Sequence, residues 1–244
     1  MAAARTIAAM ASQRLTGISS MATRQLLTEL CADYTRAQGV EVAIESVGGV
    51  DAAKRVLAGE VFDVVVLAAD AIDKLRAAGL LLEDSIVALV DSDVAVAVPA
   101  GAPHPDIGSE DALKQAVLAA PTLGYSTGPS GVQLARLFER WGIAQAIAPR
   151  IVTAPPGVPV GALVARGEVA LGFQQLSELM NLQGIDVLGM LPEAVRIVTT
   201  FSAGVAAAST QPDAARALLS FLASPETAAA KRRHGMQPAG DSAR

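Results

Sequence analysis

Short runs of β-branched and apolar residues alternate with amphipathic stretches along almost the whole chain, the pattern of parallel βαβ units covered on both faces. A first strand is expected at Arg14 to Ile18. A helix follows from about Ser20 to Tyr34, because Leu26, Leu27, Leu30, Cys31 and Tyr34 recur on one face. Gly39 turns the chain into a second strand, Val40 to Glu45. Ser46 to Asp51 then opens a helix that runs to Ala58 and stops at Gly59. Phe62 to Ala69 reads as a buried strand, and Asp70 as the N-cap of a helix ending at Gly79. Val94 to Val98, closed by Pro99, is the next strand, and Ser109 with Glu110 and Asp111 announces another helix. Thr122 to Thr127 is a strand running into Gly128-Pro129-Ser130-Gly131 and a helix that carries Leu134, Leu137, Phe138 and Trp141. Pro155 to Pro159 breaks the chain before a helix that ends near Gly167. Val169 to Gln174 is a strand, Val195 to Ala208 is a long extended segment interrupted by Gly204, and Pro212 and Pro225 start the last two helices.

Composition agrees with a globular α/β protein. The 244 residues are 52% hydrophobic and 18% charged, ample for a full core. Aromatics are only 3%, which makes stacking an unpromising way to hold a ligand. Net charge is -5 and the basic residues are scattered, which excludes a nucleic-acid or anionic-membrane surface. The single cysteine, Cys31, falls in a helix's apolar stripe and reads as core. No run approaches the ~18 apolar residues of a membrane span, so membrane insertion is not expected. Met1 to Gln13 lacks the continuous apolar core of a secretory signal, so the chain as written is expected in the cytoplasm; a mature exported form would be periplasmic.

In open α/β sheets, ligands sit beyond the carboxyl ends of strands, where helix N-termini present free N–H groups. Three strand-to-helix junctions are rich in glycine and hydroxyls: Gly17 to Thr23, Ser46 to Val50, and Tyr125 to Gly131. Glycine lets backbone approach a ligand, and serine adds a neutral donor. The candidate ligand residues are therefore Ser19, Ser20, Gly48, Gly49, Val50, Ser126, Thr127, Ser130 and Gly131. Arg24 is the candidate guanidinium for a carboxylate, because arginine pairs with carboxylates bidentately. Of Gln174 and Gln175 only one should reach the cleft, since consecutive strand residues face opposite ways; Gln174 is taken as the candidate. No phosphate-binding GxxxxGK loop, catalytic triad or metal cluster is visible, and no cofactor is expected. No base is assigned: Tyr125 and Glu45 stand at strand ends, while His104 and His234 read as surface residues.

From Gly17 to Leu81, and from Val94 to the last helix, the order of segments resembles the molybdate-type solute-binding proteins of ABC transporters. Ser19-Ser20, Gly49 to Gly59 with Phe62 to Asp70, and Leu222-Ala223-Ser224-Pro225-Glu226 carry that resemblance. It implies a two-lobed periplasmic-binding-protein type II fold: two α/β domains with mainly parallel central sheets, joined by a two-segment hinge around a small anionic ligand. An ABC transporter permease would be the partner of an exported form. The chain departs from molybdate binders at Gly48-Gly49-Val50, where those proteins present serines, and at Gln174-Gln175, where they often present a tyrosine. Together, Gly17 to Ala22, Gly48 to Ala53, Gly128-Pro129-Ser130-Gly131 and Gly172 to Leu179 are similar instead to a branch that includes aconitate isomerase, an enzyme on the same scaffold.

Lobe I is thus expected to comprise residues 1–93 and 201–244, and lobe II residues 94–200, with the ligand cleft between them. The crossings are expected near Val96 to Ala100 and Thr199 to Ala203. Three readings stay open: capture of a carboxylate or oxyanion, isomerisation of an unsaturated polycarboxylate without metal or organic cofactor, and a ligand-responsive domain serving another chain.

Overall fold

The computed structural model describes residues 14–155 and 157–240. The segment Met1 to Gln13, weighed above as a signal, lies outside the described residues. In chain order the elements are β1 (Arg14–Ser20), α1 (Arg24–Gln38), β2 (Glu41–Val47), α2 (Gly49–Leu57), β3 (Val64–Ala68), α3 (Ala69–Ala77), β4 (Val87–Pro99), α4 (Glu110–Ala119), β5 (Leu123–Tyr125) and α5 (Pro129–Arg140). They continue as α6 (Ala144–Ile147), β6 (Ile151–Thr153), α7 (Val160–Ala165), β7 (Leu171–Gln175), α8 (Leu176–Leu179), β8 (Ile185–Met190), β9 (Val198–Val205), α9 (Pro212–Ala223), α10 (Ala228–Arg233) and β10 (Met236–Pro238).

One strand organises the molecule. β4 has 13 residues, roughly 44 Å of extended chain, enough to serve two sheets in succession. Up to Asp93 it pairs antiparallel with β9 and β10; from Val94 onward it pairs antiparallel with β7 and β8. The first sheet continues from β9 through β3 and β1 to β2, the second from β7 through β5 to β6. The fold is a two-lobed α/β structure of mixed sheets: three strands are parallel in each lobe, and antiparallel strands lie where the lobes meet.

Strand direction follows from these pairings. β3 opposes β9 and β9 opposes β4, so β1, β2 and β3 run with β4, toward the point where it changes sheets. β7 opposes the second half of β4, and β5 and β6 run with β7, so these three return toward the same point. The carboxyl ends of six parallel strands therefore face one another across the border between the lobes.

Period-2 alternation splits each sheet's side chains between two cores. In the first lobe Leu15, Val64 and Val66 pack with Leu26, Leu30, Leu218 and Leu219, while Ile18, Val65 and Leu67 pack with Val56, Ile72 and Leu75. Along β4, Val94, Val96 and Val98 face Leu134 and Phe138, whereas Ala95 and Ala97 face Val160, Leu163 and Val164. Phe138 anchors the former core, its ring centroid 5.8 Å from Tyr125 and 6.1 Å from Phe173.

Several expectations are corrected. β4 begins seven residues earlier than the apolar run suggests, because Asp91, Ser92 and Asp93 interrupt the hydrophobic pattern yet remain in the strand. Asp91 accepts from Thr200 Oγ1 at 2.6 Å, and Asp93 is held bidentately by Arg196 at 2.6 and 3.1 Å, so both buried carboxylates are satisfied from the neighbouring segment. Asp70 does not cap α3; it stands in the first turn, behind Ala68. Gly204 does not interrupt β9, and a β-carbon there would stand 2.9 Å from Ile86 Cδ1, so the glycine makes room for packing. β6, β8, α8 and β10 are too short or too weakly patterned to have been predicted. Among the described residues no helix is long and apolar enough to cross a membrane.

Candidate functional site

The first two junctions adjoin. β1 ends in Ser19 and Ser20, and the Ser19 hydroxyl, fully buried, lies 2.8 Å from the Ser46 hydroxyl at the end of β2. Ser20 opens a turn of 3-10 helix over Met21–Thr23, its Oγ 3.4 Å from the Ala22 amide and its carbonyl accepting from Thr23 Oγ1. That long contact leaves the Ser20 hydroxyl free to serve another acceptor. α2 starts immediately after Gly48 with no side-chain cap, so its first amides remain unsatisfied donors. A β-carbon on Gly49 would sit 3.6 Å from Ser20 Oγ, which puts the start of α2 against the end of β1. Val50 is 45% exposed and offers backbone only. Arg24, the first residue of α1, is exposed and has no acidic partner among the described residues.

The third junction belongs to the other lobe. Gly128 precedes α5 without a side-chain cap, and Pro129 at the first helical position removes one amide that would have been unpaired anyway. Ser126 and buried Ser130 share a hydroxyl contact of 3.2 Å, and Thr127 is exposed. A β-carbon on Gly131 would overlap the Ser126 carbonyl, so only glycine lets the strand end fold back onto α5.

Gln174 and Gln175 divide as alternation requires. Gln174 Oε1 accepts from the Gly161 amide in the first turn of α7 at 2.8 Å, and its Nε2 donates to Glu178 Oε1 at 2.8 Å, so both ends are engaged. Gln175 is buried beside the crossing, level with Val94; its Nε2 donates to Thr199 Oγ1 at 2.9 Å and its Oε1 has no partner among the described residues. Exchanging the two ends of that amide would let Oε1 accept from Thr199 Oγ1. The sequence contained the signal for this choice, the period-2 alternation, but not which face was which.

Glu178, missed in the sequence reading, is half-buried on α8, and burial pushes its carboxyl up to about 7 against the lowering effect of the Gln174 amide. On the same helix Ser177 Oγ donates to the Ala22 carbonyl at 2.9 Å, and just beyond it Asn181 bonds Gln25, so α8 is tied to the first lobe beside Ser20. Glu45 is gripped by Arg55 at 2.7 and 2.9 Å, which lowers its pKa and makes it a poor base. Burial raises the Tyr125 phenol, His104 bonds Asp186 at the surface, and His234 bonds Glu29. Two surface cavities, about 340 and 420 Å³, include none of the candidate ligand residues. The Ser20–Gly49 contact joins the first two junctions, and strand direction turns the third toward the same border.

Residues 15–237 match the bacterial extracellular solute-binding protein family. The chain belongs to this family. This solute-binding protein is 40% identical to an aconitate isomerase from a Pseudomonas species over 238 residues, 95% of this chain and 90% of the relative. Its fold is similar to the periplasmic molybdate-binding protein of Azotobacter vinelandii, with a TM-score of 0.76, 18% identity, and 91% and 98% of the two chains covered. It is equally similar to the sulfate-binding protein of Mycobacterium tuberculosis, with a TM-score of 0.76, 17% identity, and coverage of 94% and 88%.

Proposed function

We propose that this solute-binding protein closes its lobes on a small carboxylate or oxyanion held between Ser20, Gly49, Ser130 and Gln175. The convergence of six strand ends on the lobe border supports this reading, because it aims the amides of α2 and α5 at one gap. The molybdate- and sulfate-binding relatives are consistent with an anion. Lobe I is the chain up to Asp93 together with the part from β9 onward, and lobe II is the part between. The hinge of this reading lies at Asp93–Val94 and Ile197–Val198, where Val94 N–H donates to Ile197 O at 3.0 Å. Closure expels water from the gap, which strengthens every hydrogen bond to the anion. Each serine hydroxyl on an anionic oxygen contributes roughly 1.5–3 kcal/mol. An exported form would deliver the anion to an ABC transporter permease.

A second reading is favoured by the full-length similarity to an aconitate isomerase: the bound anion is an unsaturated tricarboxylate, and the protein moves its double bond by allylic proton transfer. Arg24, at the first junction and without an acidic partner among the described residues, suits the extra carboxylate that a tetrahedral oxyanion lacks. A thermal-shift panel of molybdate, tungstate, sulfate, citrate and both aconitates tests the first reading, and stabilisation by none of them removes it. Incubation with trans-aconitate in deuterated water, followed by NMR, tests the second; neither cis product nor deuterium exchange at high protein concentration removes it.

A further inference from the structure

We propose that Glu178 is the catalytic residue that carries the proton, taking it from one allylic carbon of the bound tricarboxylate and returning it to the other. This rests on the isomerase reading above and adds to it the group that performs the step.

The geometry singles this carboxyl out. Its Oε1 is held by Gln174 Nε2 at 2.8 Å, which orients the group, while its Oε2 has no partner among the described residues and is not sealed from solvent. Gln174 is itself fixed by the Gly161 amide, so the carboxyl hangs from the first turn of α7, and Gln174 stands near the carboxyl end of β7, one of the strands that converge on the border. The adjacent Ser177 reaches across to Ala22, two residues beyond Ser20. A carboxyl oriented by a neutral amide, with its second oxygen left unpartnered among the described residues, has the arrangement of a proton carrier.

The charged environment is permissive. The elements packed most closely on α8 are β4, β7, β8 and the Met21–Thr23 turn. Their charged groups are Asp91, Asp93 and Asp186, engaged by Thr200, by Arg196, and by the Gly101 amide with His104 respectively; β7 and the turn carry none. No cation among the described residues holds Glu178 ionised, and burial brings it to about 7, where carboxylate and acid interconvert readily. Glu45 and Asp186 lack that property, because their partners hold them ionised.

The step balances without a co-reactant. Glu178 carboxylate removes a proton from the methylene carbon, and the C–H electron pair spreads over the allylic system and the neighbouring carboxylates. The protonated Glu178, whose acid proton trades with solvent between transfers, then delivers a proton to the carbon at the other end, the double bond moves one position, and the carboxylate is regenerated. Arg24 and the amides of α2 and α5 hold the added charge during transfer.

The test uses the full chain and trans-aconitate. Wild type is assayed first for cis product and deuterium exchange, then Glu178→Gln and Glu178→Asp. The expected result is that E178Q still shows a trans-aconitate thermal shift but loses isomerisation and exchange together by at least a hundredfold. E178D should retain partial activity, and the wild-type kcat should bend near pH 7, a feature absent from residual E178Q activity. Active wild type with E178Q activity within threefold overturns the role of Glu178 and leaves the isomerase reading standing. Wild type inactive in both assays overturns the isomerase reading, and the role of Glu178 falls with it. If E178Q does not fold, E178D with a full-size kcat and an unmoved pH profile overturns the role.

Discussion

Gly131→Ala is the sharpest perturbation of the third junction. A β-carbon at residue 131 would overlap the Ser126 carbonyl oxygen and stand 2.6 Å from its carbonyl carbon and 3.3 Å from Tyr125 Cδ2. Ordinary contact begins at 3.4 Å, so the carbon alone requires an opening of about 0.8 Å. The obstacle is backbone, which cannot rotate aside as a side-chain end can. The cost should therefore lie at the upper end of the overpacking range, ~3 kcal/mol, lowering Tm by roughly 6–12 °C for a chain of this size. The same displacement parts Ser126 from Ser130, so anion affinity should fall as well. Gly39→Ala is the control: φ is +70° with nothing within 4 Å of the added carbon, so only the left-handed backbone costs, ~1 kcal/mol. Thermal unfolding of both variants, with titration calorimetry against the best anion from the panel, reads the outcome. Equal Tm losses for the two variants would refute the clash argument, and a large Tm loss with unchanged affinity would refute the junction's role in binding.

Other perturbations separate structural from ligand roles. Asp93→Asn leaves the Arg196 guanidinium without its counter-charge at the crossing; Arg196 keeps a quarter of its surface in water, so about 2–3 kcal/mol should be lost in urea unfolding. Gln175→Leu removes the orphaned acceptor and should change stability little while weakening anion binding about tenfold, whereas Gln174→Leu should destabilise by ~1–3 kcal/mol by stranding the Gly161 amide. Arg24→Ala should weaken citrate and aconitate far more than molybdate or sulfate in calorimetry. Glu178 has its folded pKa raised from 4.5 to about 7, so the folded state binds more protons between those values and stability falls as pH rises through that window. The loss should be ~1–3 kcal/mol between pH 4.5 and 8 and should vanish in E178Q, as judged by urea midpoints at the two pH values.

Local pattern determined much of this protein. Helical spacing of Leu26, Leu30 and Tyr34, glycine stops at Gly39 and Gly59, and the Ser109 cap are interactions between residues a few positions apart, and they read directly from the chain. The glycine- and serine-rich junctions were legible for the same reason, since helix starts are written locally. What only the tertiary structure decided depends on pairings across many tens of residues. Asp91 and Asp93 look like the end of a hydrophobic run until Thr200 and Arg196 supply their partners. Gln174 and Gln175 are indistinguishable until α7 claims one and the crossing strand the other. Glu178 is an ordinary surface acid by type, and becomes a tunable one only when packing removes its water without bringing a cation. Strand order alone turns two separate sets of carboxyl ends toward each other, because direction in a sheet is fixed by the neighbour across the ladder rather than by the residue next in line.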